Sequence, residues 1–537
     1  MALQTRLVSC LLLSSLLLNT ASSTPFRPKR QSSECRRTQV LVLGGGLAGV
    51  TAAQTLANNS IDDFVIVEYN NDLGGRIAHT TFGEDQDGNP YTVELGANWV
   101  QGIENEETGA VNPIWLLAQK YNITNTYSNY SSIETFNETG PVDFSDLLDE
   151  IDVSYTQMQT DTGRFILDNI QDYSVRSGLS LAGWKPKKDA QKQAVEWWYF
   201  DWEYSWQPEV SSAMFSMANY NTTFYQWSDE NNFVWDSRGF NTIVKGEASE
   251  FLNCTTDSYD CSNDDRLLLN TIVTNLTYSD EGVIVLTEDG TCLEADFAIC
   301  TFSLGVLQNE VVTFEPQLPE WKTRAINTFQ MGTYTKIFMQ FPPDQVFWDT
   351  DTQFFLYADP RERGYYPVFQ SLDGPGFING SGILFVTVVQ DQSYTAEAQG
   401  SNVTEGEVME VLRKMYGQDI PDPTAFMYPT WSLEPWTYGC YSNWPQGTTL
   451  EQHANLRANL DRLYFAGEAT HPEYYGFLQA AYYEGQTAAQ TIVDCLKGND
   501  CQEYPRYEVL HGTTGMAEYN ATNGWTVSSF QGYPPDS

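Results

Sequence analysis

The sequence predicts an α/β (mixed α+β) chain of two domains, one Rossmann-like and one built on a mixed sheet flanked by helices, and three observations predict it. Residues 38–43 (TQVLVL) form a short apolar strand running directly into GGGLAG; a helical stretch at 47–57 and a second strand at 64–68 (FVIVE) complete a βαβ unit. Strand-rich stretches at 267–301 and 333–341 follow a stretch from 146 to about 204 that reads as helical, and 463–496 reads as a strand, a glycine-containing turn and a long Ala-rich helix. The chain has 537 residues, more than one compact core holds and enough for two domains.

The first thirty residues are expected to stand outside this fold. LLLSSLLL at 11–18 follows Arg6 and ends in the small residues Ala21 to Ser23, the pattern of a secretory signal peptide over 1–23. Lys29 and Arg30 make a dibasic pair that would close a short propeptide (24–30) and leave Gln31 first. Ten N-x-Ser/Thr acceptors (Asn58, Asn122, Asn129, Asn137, Asn221, Asn253, Asn275, Asn379, Asn402 and Asn520) suit a secreted, extracellular chain. No later stretch approaches the roughly 18 consecutive apolar residues of a membrane helix, so no membrane partner is expected.

Nine cysteines become eight without Cys10, and an oxidising compartment would pair them. Cys254 with Cys261 and Cys495 with Cys501 can close small loops, among the 105 connectivities that eight cysteines allow. The charge is −42, from 28 basic and 70 acidic side chains; residues 1–30 hold four basic and no acidic ones, so their removal gives −46. Such a field repels nucleic acid and anionic membranes and accepts a polycation, although an acidic surface is also ordinary for acidic surroundings. Residues 122–145, rich in Ser, Thr and Asn, read as surface loop. Four histidines, none in a ligand-spaced pair, give no metal site.

The chemistry starts at Gly44, Gly46 and Gly49, a G-x-G-x-x-G between strand and helix, with Glu68 lying 19 residues after Gly49. Gly44 permits the turn, Gly46 lets backbone approach a pyrophosphate at the helix N-terminus, Gly49 lets the helix pack, and Glu68 can accept from ribose hydroxyls. A second glycine turn, LGGRI, carries Arg76, and ELGANWV follows at 94–100. Further on, alternation over 333–341 (TYTKIFMQF) puts Lys336 on one face with Tyr334 and Phe338, where an apolar residue is expected. A strand-edge lysine that discourages aggregation is the plain reading of it.

Taken together, GGGLAG, Glu68, LGGRI, ELGANWV, TYTKIF, YSNWPQG and YFAGEAT with YYGFLQAAYYEG resemble the flavin-containing amine oxidases, closest to the secreted polyamine oxidases, from about residue 38 to 496. The resemblance implies FAD, in a domain assembled from 36–113, 232–305 and 450–500, beside a substrate domain from 114–231 and 306–449, with 501–537 as a tail. It implies cofactor contacts from Gly96, Ala97, Asn98 and Trp99, from the Val273 backbone, from Glu468 (otherwise a capping acid), and from the turn at Gly476. It pairs Tyr441 and Phe477 across the flavin face, where they could also be core aromatics, and puts Trp444 beside the ring. Lys336, with Tyr334 near it, would reach the flavin through a water. Glu203, with Tyr204, would seat a remote ammonium; the second acid position of the family is Gln101 here, which can hydrogen-bond an amine but not offset its charge.

Cys440 matches a position that carries a thioether to flavin in the related monoamine oxidases, and is otherwise a free thiol or a disulfide partner, so that FAD is expected to be non-covalent with the thioether as the alternative. The implied reaction oxidises spermidine or spermine with O2 as acceptor, giving an imine, then aldehyde plus amine, and H2O2. Rival readings are a monoamine or L-amino acid oxidase, the latter opposed by Asn98 and Trp99 standing where an arginine would bind carboxylate, and a non-catalytic polyamine-binding module. Oligomeric state is not legible.

Overall fold

A computed structural model describes residues 35–163, 165, 170–256, 258–499 and 501–512. The signal and propeptide segments, Asn520 and the end of the tail lie outside the described residues. The strand Arg36–Leu43 is flanked by Phe64–Val67 and by Cys292–Cys300, both parallel, with Val40 opposite Phe64 on one side and Phe297 on the other. Parallel strands buried on both faces need continuous apolar runs, and Val40 to Leu43 are fully buried. The helix Leu47–Asn58 makes the crossover and packs on the long helix Leu478–Leu496. Leu463–Phe465 joins Cys292–Cys300 in parallel, and the antiparallel strands Val283–Thr287 and Val273–Tyr278 extend that edge. Thr313–Glu315 pairs with Val273–Tyr278, so this eight-stranded sheet runs past the expected boundary at 305.

A seven-stranded mixed sheet makes the second layer. Tyr334–Gln340 lies between Ala425–Met427 and Ile383–Val389, and Phe354–Ala358 continues the sheet to Ile133–Asn137 and Gly140–Pro141. Residues 122–145 are therefore not simply loop. Asn125–Tyr127 pairs with Asn231–Val234, and Ile133–Asn137 lies between Phe354–Ala358, to which it is parallel, and the two-residue edge strand Gly140–Pro141. The stretch expected as one helical run is broken: Ser145–Thr162, Val175–Leu181 and Ala190–Glu196 are α-helices, and Trp197–Asp201 widens into a π-turn before Trp202–Tyr204.

Cys254–Cys261 and Cys495–Cys501 are bonded, and a third bridge, Cys35–Cys292, joins neighbouring parallel strands where Arg36 stands opposite Leu293. Cys300 and Cys440 are free, so Cys440 is not a disulfide partner. No helix among the described residues is long and apolar enough to cross a membrane.

Candidate active site

One cavity of about 490 Å³ draws its lining from both sheets and the segments between them. At one end lie Gly44 and Gly46. Gly44 has φ +119°, which only glycine adopts without strain, and a Cβ on Gly49 would stand 1.9 Å from the Gly44 carbonyl oxygen. Gly49 itself does not line the cavity; its missing side chain is what lets helix and strand touch. Gly46 is different, because a Cβ there would meet no protein atom closer than 3.9 Å. Protein packing does not require that glycine, so the space it leaves belongs to whatever fills the cavity.

Gly46 also caps the helix Leu47–Asn58 without a side-chain acceptor, and Leu47 and Ala48 line the cavity. An uncapped helix start beside open space suits a pyrophosphate. Glu68, at the tip of the second strand, accepts from the Gly45 N–H at 2.6 Å and from the Asn70 N–H at 2.8 Å. Burial raises its pKa while these amides hold it down. Its carbonyl takes the Thr271 N–H at 2.8 Å, which brings the Val273 segment, with Glu288, to the same end. These features fit a dinucleotide of the flavin type.

In the middle, Arg76 donates to the Glu468 carboxylate at 2.9 Å and to the Cys440 carbonyl at 2.7 Å. The other Glu468 oxygen accepts from the Ser442 N–H at 2.8 Å and the Gly476 N–H at 2.7 Å. One carboxylate thus ties together the LGGRI, YSNWPQG and YYGFL segments, and it lines the cavity as it does so. Gly96, Ala97, Asn98 and Trp99 line the opposite wall. The helix Leu478–Leu496 starts at Phe477 with no side-chain cap, and Gly476, Phe477 and Leu478 reach the cavity.

The far end is aromatic. Tyr334, Tyr441 and Phe477 reach it, as do Gln101, Glu203 and Tyr204. Tyr334 and Tyr441 are tilted neighbours with ring centroids 6.1 Å apart, and the Tyr441 hydroxyl donates to the Glu203 carbonyl at 2.9 Å. The π-turn and the left-handed Ser205 (φ +52°) bracket Glu203 and Tyr204, and the Tyr204 hydroxyl is tied to the Ser216 carbonyl at 2.8 Å. The Glu203 carboxylate accepts from Gln101 Nε2 at 3.1 Å, and desolvation pushes its pKa up to about 7, partly offset by that bond.

Two expected residues stand elsewhere. Trp444 is fully buried and does not line the cavity; it stacks behind Tyr475, with centroids 5.0 Å apart, and packs on Phe215 and His453, because YSNWP turns it into the core. Lys336 is also behind the wall: its ammonium donates to the Gly96 carbonyl at 2.6 Å and lies 6.0 Å from the Trp99 ring centre. Desolvation lowers its pKa to about 7, with Glu94 and Cys440 opposing the fall.

Sequence reasoning missed Tyr130, Trp202, Tyr475 and Asn219, all of which line the cavity. Trp202 sat in view within the aromatic run EWWYFDWEYSW, where it stacks on Trp198 and meets Tyr130 edge-on. Tyr130 gave no signal, because it lies in the segment that reads as loop.

A family model described as flavin containing amine oxidoreductase matches residues 47–191 and 201–493. Polyamine oxidase 1 of Zea mays is 34% identical over 482 residues, covering 86% of this chain and 92% of that protein, and polyamine oxidase 6 of Oryza sativa subsp. japonica is 33% identical over 483 residues, covering 87% and 92%. Among solved structures, a wild-type putrescine oxidase bound to putrescine superposes with a TM-score of 0.65 at 15% identity, covering 86% of this chain and all of that one, a likeness of fold. With most of its length matched and the dinucleotide cradle in place, this chain belongs to the flavin-containing amine oxidoreductases.

Proposed function

We propose that the chain is a secreted, FAD-dependent polyamine oxidase acting on spermidine and spermine. The observation that carries the reading is Glu203: a half-buried carboxylate lining the aromatic end of the cavity, held only by a neutral amide from Gln101 among the described residues. An uncompensated acid in such a place is costly, and a remote substrate ammonium would remove that cost. The faces of Tyr334, Tyr441 and Trp202 attract cations, and their burial keeps water from the bond to be broken. Both plant relatives named above are polyamine oxidases.

Bound FAD supplies the two-electron acceptor for the carbon beside nitrogen and passes the electrons to O2, giving H2O2. The chain's own part is to seat the far ammonium at Glu203, to hold the reacting amine between Tyr441 and Phe477, and to offer Lys336 as a desolvated proton carrier one backbone carbonyl behind the wall. The imine product hydrolyses to an aldehyde and an amine. Non-covalent FAD is supported by Cys440, whose thiol burial pushes far above the usual range and whose sulfur accepts the Tyr334 N–H. Secretion is supported by acceptor asparagines on the surface: Asn58, Asn122, Asn253, Asn379 and Asn402 are all exposed.

The test is peroxide release over spermine, spermidine, their acetylated forms, a simple monoamine and L-leucine, with products identified by mass spectrometry. Spermine should also bleach the flavin spectrum anaerobically. Faster turnover of the monoamine or of leucine, or no bleaching, would sink the reading.

A further inference from the structure

Behind the cavity wall, two opposite charges are buried without a full set of partners. Glu94 ends the strand Tyr91–Glu94 and is 5% exposed; one carboxylate oxygen accepts the Phe240 N–H at 2.7 Å, and the other has no hydrogen-bond partner among the described residues. Lys336 is 1% exposed, and the Gly96 carbonyl is the one hydrogen-bond acceptor for its ammonium among those residues. Gly96 lies two residues beyond Glu94 and lines the cavity, so the same short segment carries the acid, the acceptor of the lysine and the wall.

The other groups near this couple are ion-paired or uncharged. Asp236 faces Glu94 but is bound by Arg238 at 2.8 Å and by the Thr124 N–H. His79 stands across the hairpin from Glu94, with Lys245 and Asp72 acting on it from beyond, and burial lowers its pKa toward the neutral ring. Cys440 faces Lys336 but burial keeps it a thiol. Thr387, opposite Lys336 in the sheet, carries no charge. Glu94 is the acid left to answer the lysine.

We propose that Glu94 is a positioning residue that shares a proton with Lys336, keeping the buried couple neutral overall while the ammonium is discharged and restored behind the cavity wall. The proton leaves Lys336 Nζ, freeing the nitrogen lone pair, and is taken up on the unpaired Glu94 oxygen through an intervening water; the return step reverses both changes. Burial pushes Glu94 up to about 8 and Lys336 down to about 7, so the two titrate over one range and the protons belong to the pair. The inference rests on the proposed role of Lys336 at the flavin.

The experiment follows the absorbance of the bound, oxidised flavin between pH 5 and 10 in the holoenzyme, alongside FAD content and Tm, and needs no turnover. The wild type should show a transition near neutrality. In Glu94→Gln the carboxylate that favours the ammonium is gone, and the transition should move to lower pH by about one unit, roughly tenfold in proton affinity. Glu94→Asp, which retains the charge at a greater distance and keeps the assay open should the amide variant not fold, should shift it the same way by less. Lys336→Met should abolish the transition, and Glu94→Gln added to it should change nothing more. An unshifted transition in the foldable Glu94 variants overturns the coupling. A transition that survives Lys336→Met overturns the reading of Lys336 itself and leaves the Glu94 result to stand apart from it.

Discussion

The two ends of the cavity recognise by opposite means. The nucleotide end is backbone: glycines cleared of side chains, an uncapped helix start, and a Glu68 whose two oxygens are already held by amides at 2.6 and 2.8 Å. The amine end is side chain: aromatic faces, and a Glu203 whose carboxylate has a single neutral donor at 3.1 Å. The first is a finished mould, and the second holds an unanswered charge. Substitutions at the first should act through volume and be indifferent to pH, and those at the second through charge and be governed by it.

The sharpest break of that contrast would come from the glycines. Gly49→Val puts a side chain against the Gly44 backbone, which cannot retreat, and overpacking of this kind costs about 3 kcal/mol. Tm should fall and FAD should be lost together. Gly46→Ala meets no protein atom closer than 3.9 Å, so the protein should keep its Tm and lose only FAD affinity. Equal effects of the two on Tm would show that the space at Gly46 is not the ligand's.

Lys336→Met comes next. Its FAD content should stay at the wild-type level, since the lysine does not line the cavity, while flavin reduction or reoxidation in stopped flow should slow by roughly 10²- to 10⁴-fold, the range of a lost proton carrier. Normal rates would return the lysine to the status of a buried strand residue.

Glu203→Gln tests the amine end directly. Removing the partner of a buried charge costs about 3 kcal/mol, so KM for a substrate with a remote ammonium should rise roughly 100-fold with a smaller change in kcat, and a simple monoamine should be little affected. The pH sign is fixed by the raised pKa. Folded Glu203 holds its proton up to about 7 whereas the unfolded group loses it near 4.5, so it contributes stability fully below about 4.5 that is lost as pH rises through 7. Ammonium binding runs the other way: it needs the carboxylate, and KM for spermine should fall as pH rises through 7. A pH-independent KM in the wild type would mean that Glu203 does not meet the ammonium.

What could be foreseen from sequence follows the same division. Gly44, Gly46, Gly49 and Glu68 were legible because a βαβ turn is set by local chain geometry, and the alternation that exposed Lys336 is equally local. Its actual acceptor, the Gly96 carbonyl, lies 240 residues away in sequence and could not be seen. Tyr130 was hidden for a related reason: its neighbouring strand, Ile133–Asn137, is recognisable only through its partner Phe354–Ala358. Trp444 was misplaced because an aromatic in a motif looks the same whether it faces a cofactor or the core. Glu203 was named by resemblance, but nothing in FDWEYSW announces the π-turn that aims it, which also depends on Arg363 joining Glu196 and Asp201 from a distant loop.

The smallest effect should come from Tyr441→Phe, and it asks whether the amine end has any of the rigidity of the nucleotide end. The ring remains, so the aromatic wall is kept, and only the hydroxyl that donates to the Glu203 carbonyl at 2.9 Å is removed. Such a bond contributes about 1 kcal/mol, with the lost acceptor partner as the main cost. If the tie serves to aim the Glu203 carboxylate, KM for spermine should rise about fivefold, as that energy implies, while the monoamine KM stays put. If both rise together, the hydroxyl acts on the reacting amine rather than on the acid, and the two halves of the amine end are less separate than their geometry indicates.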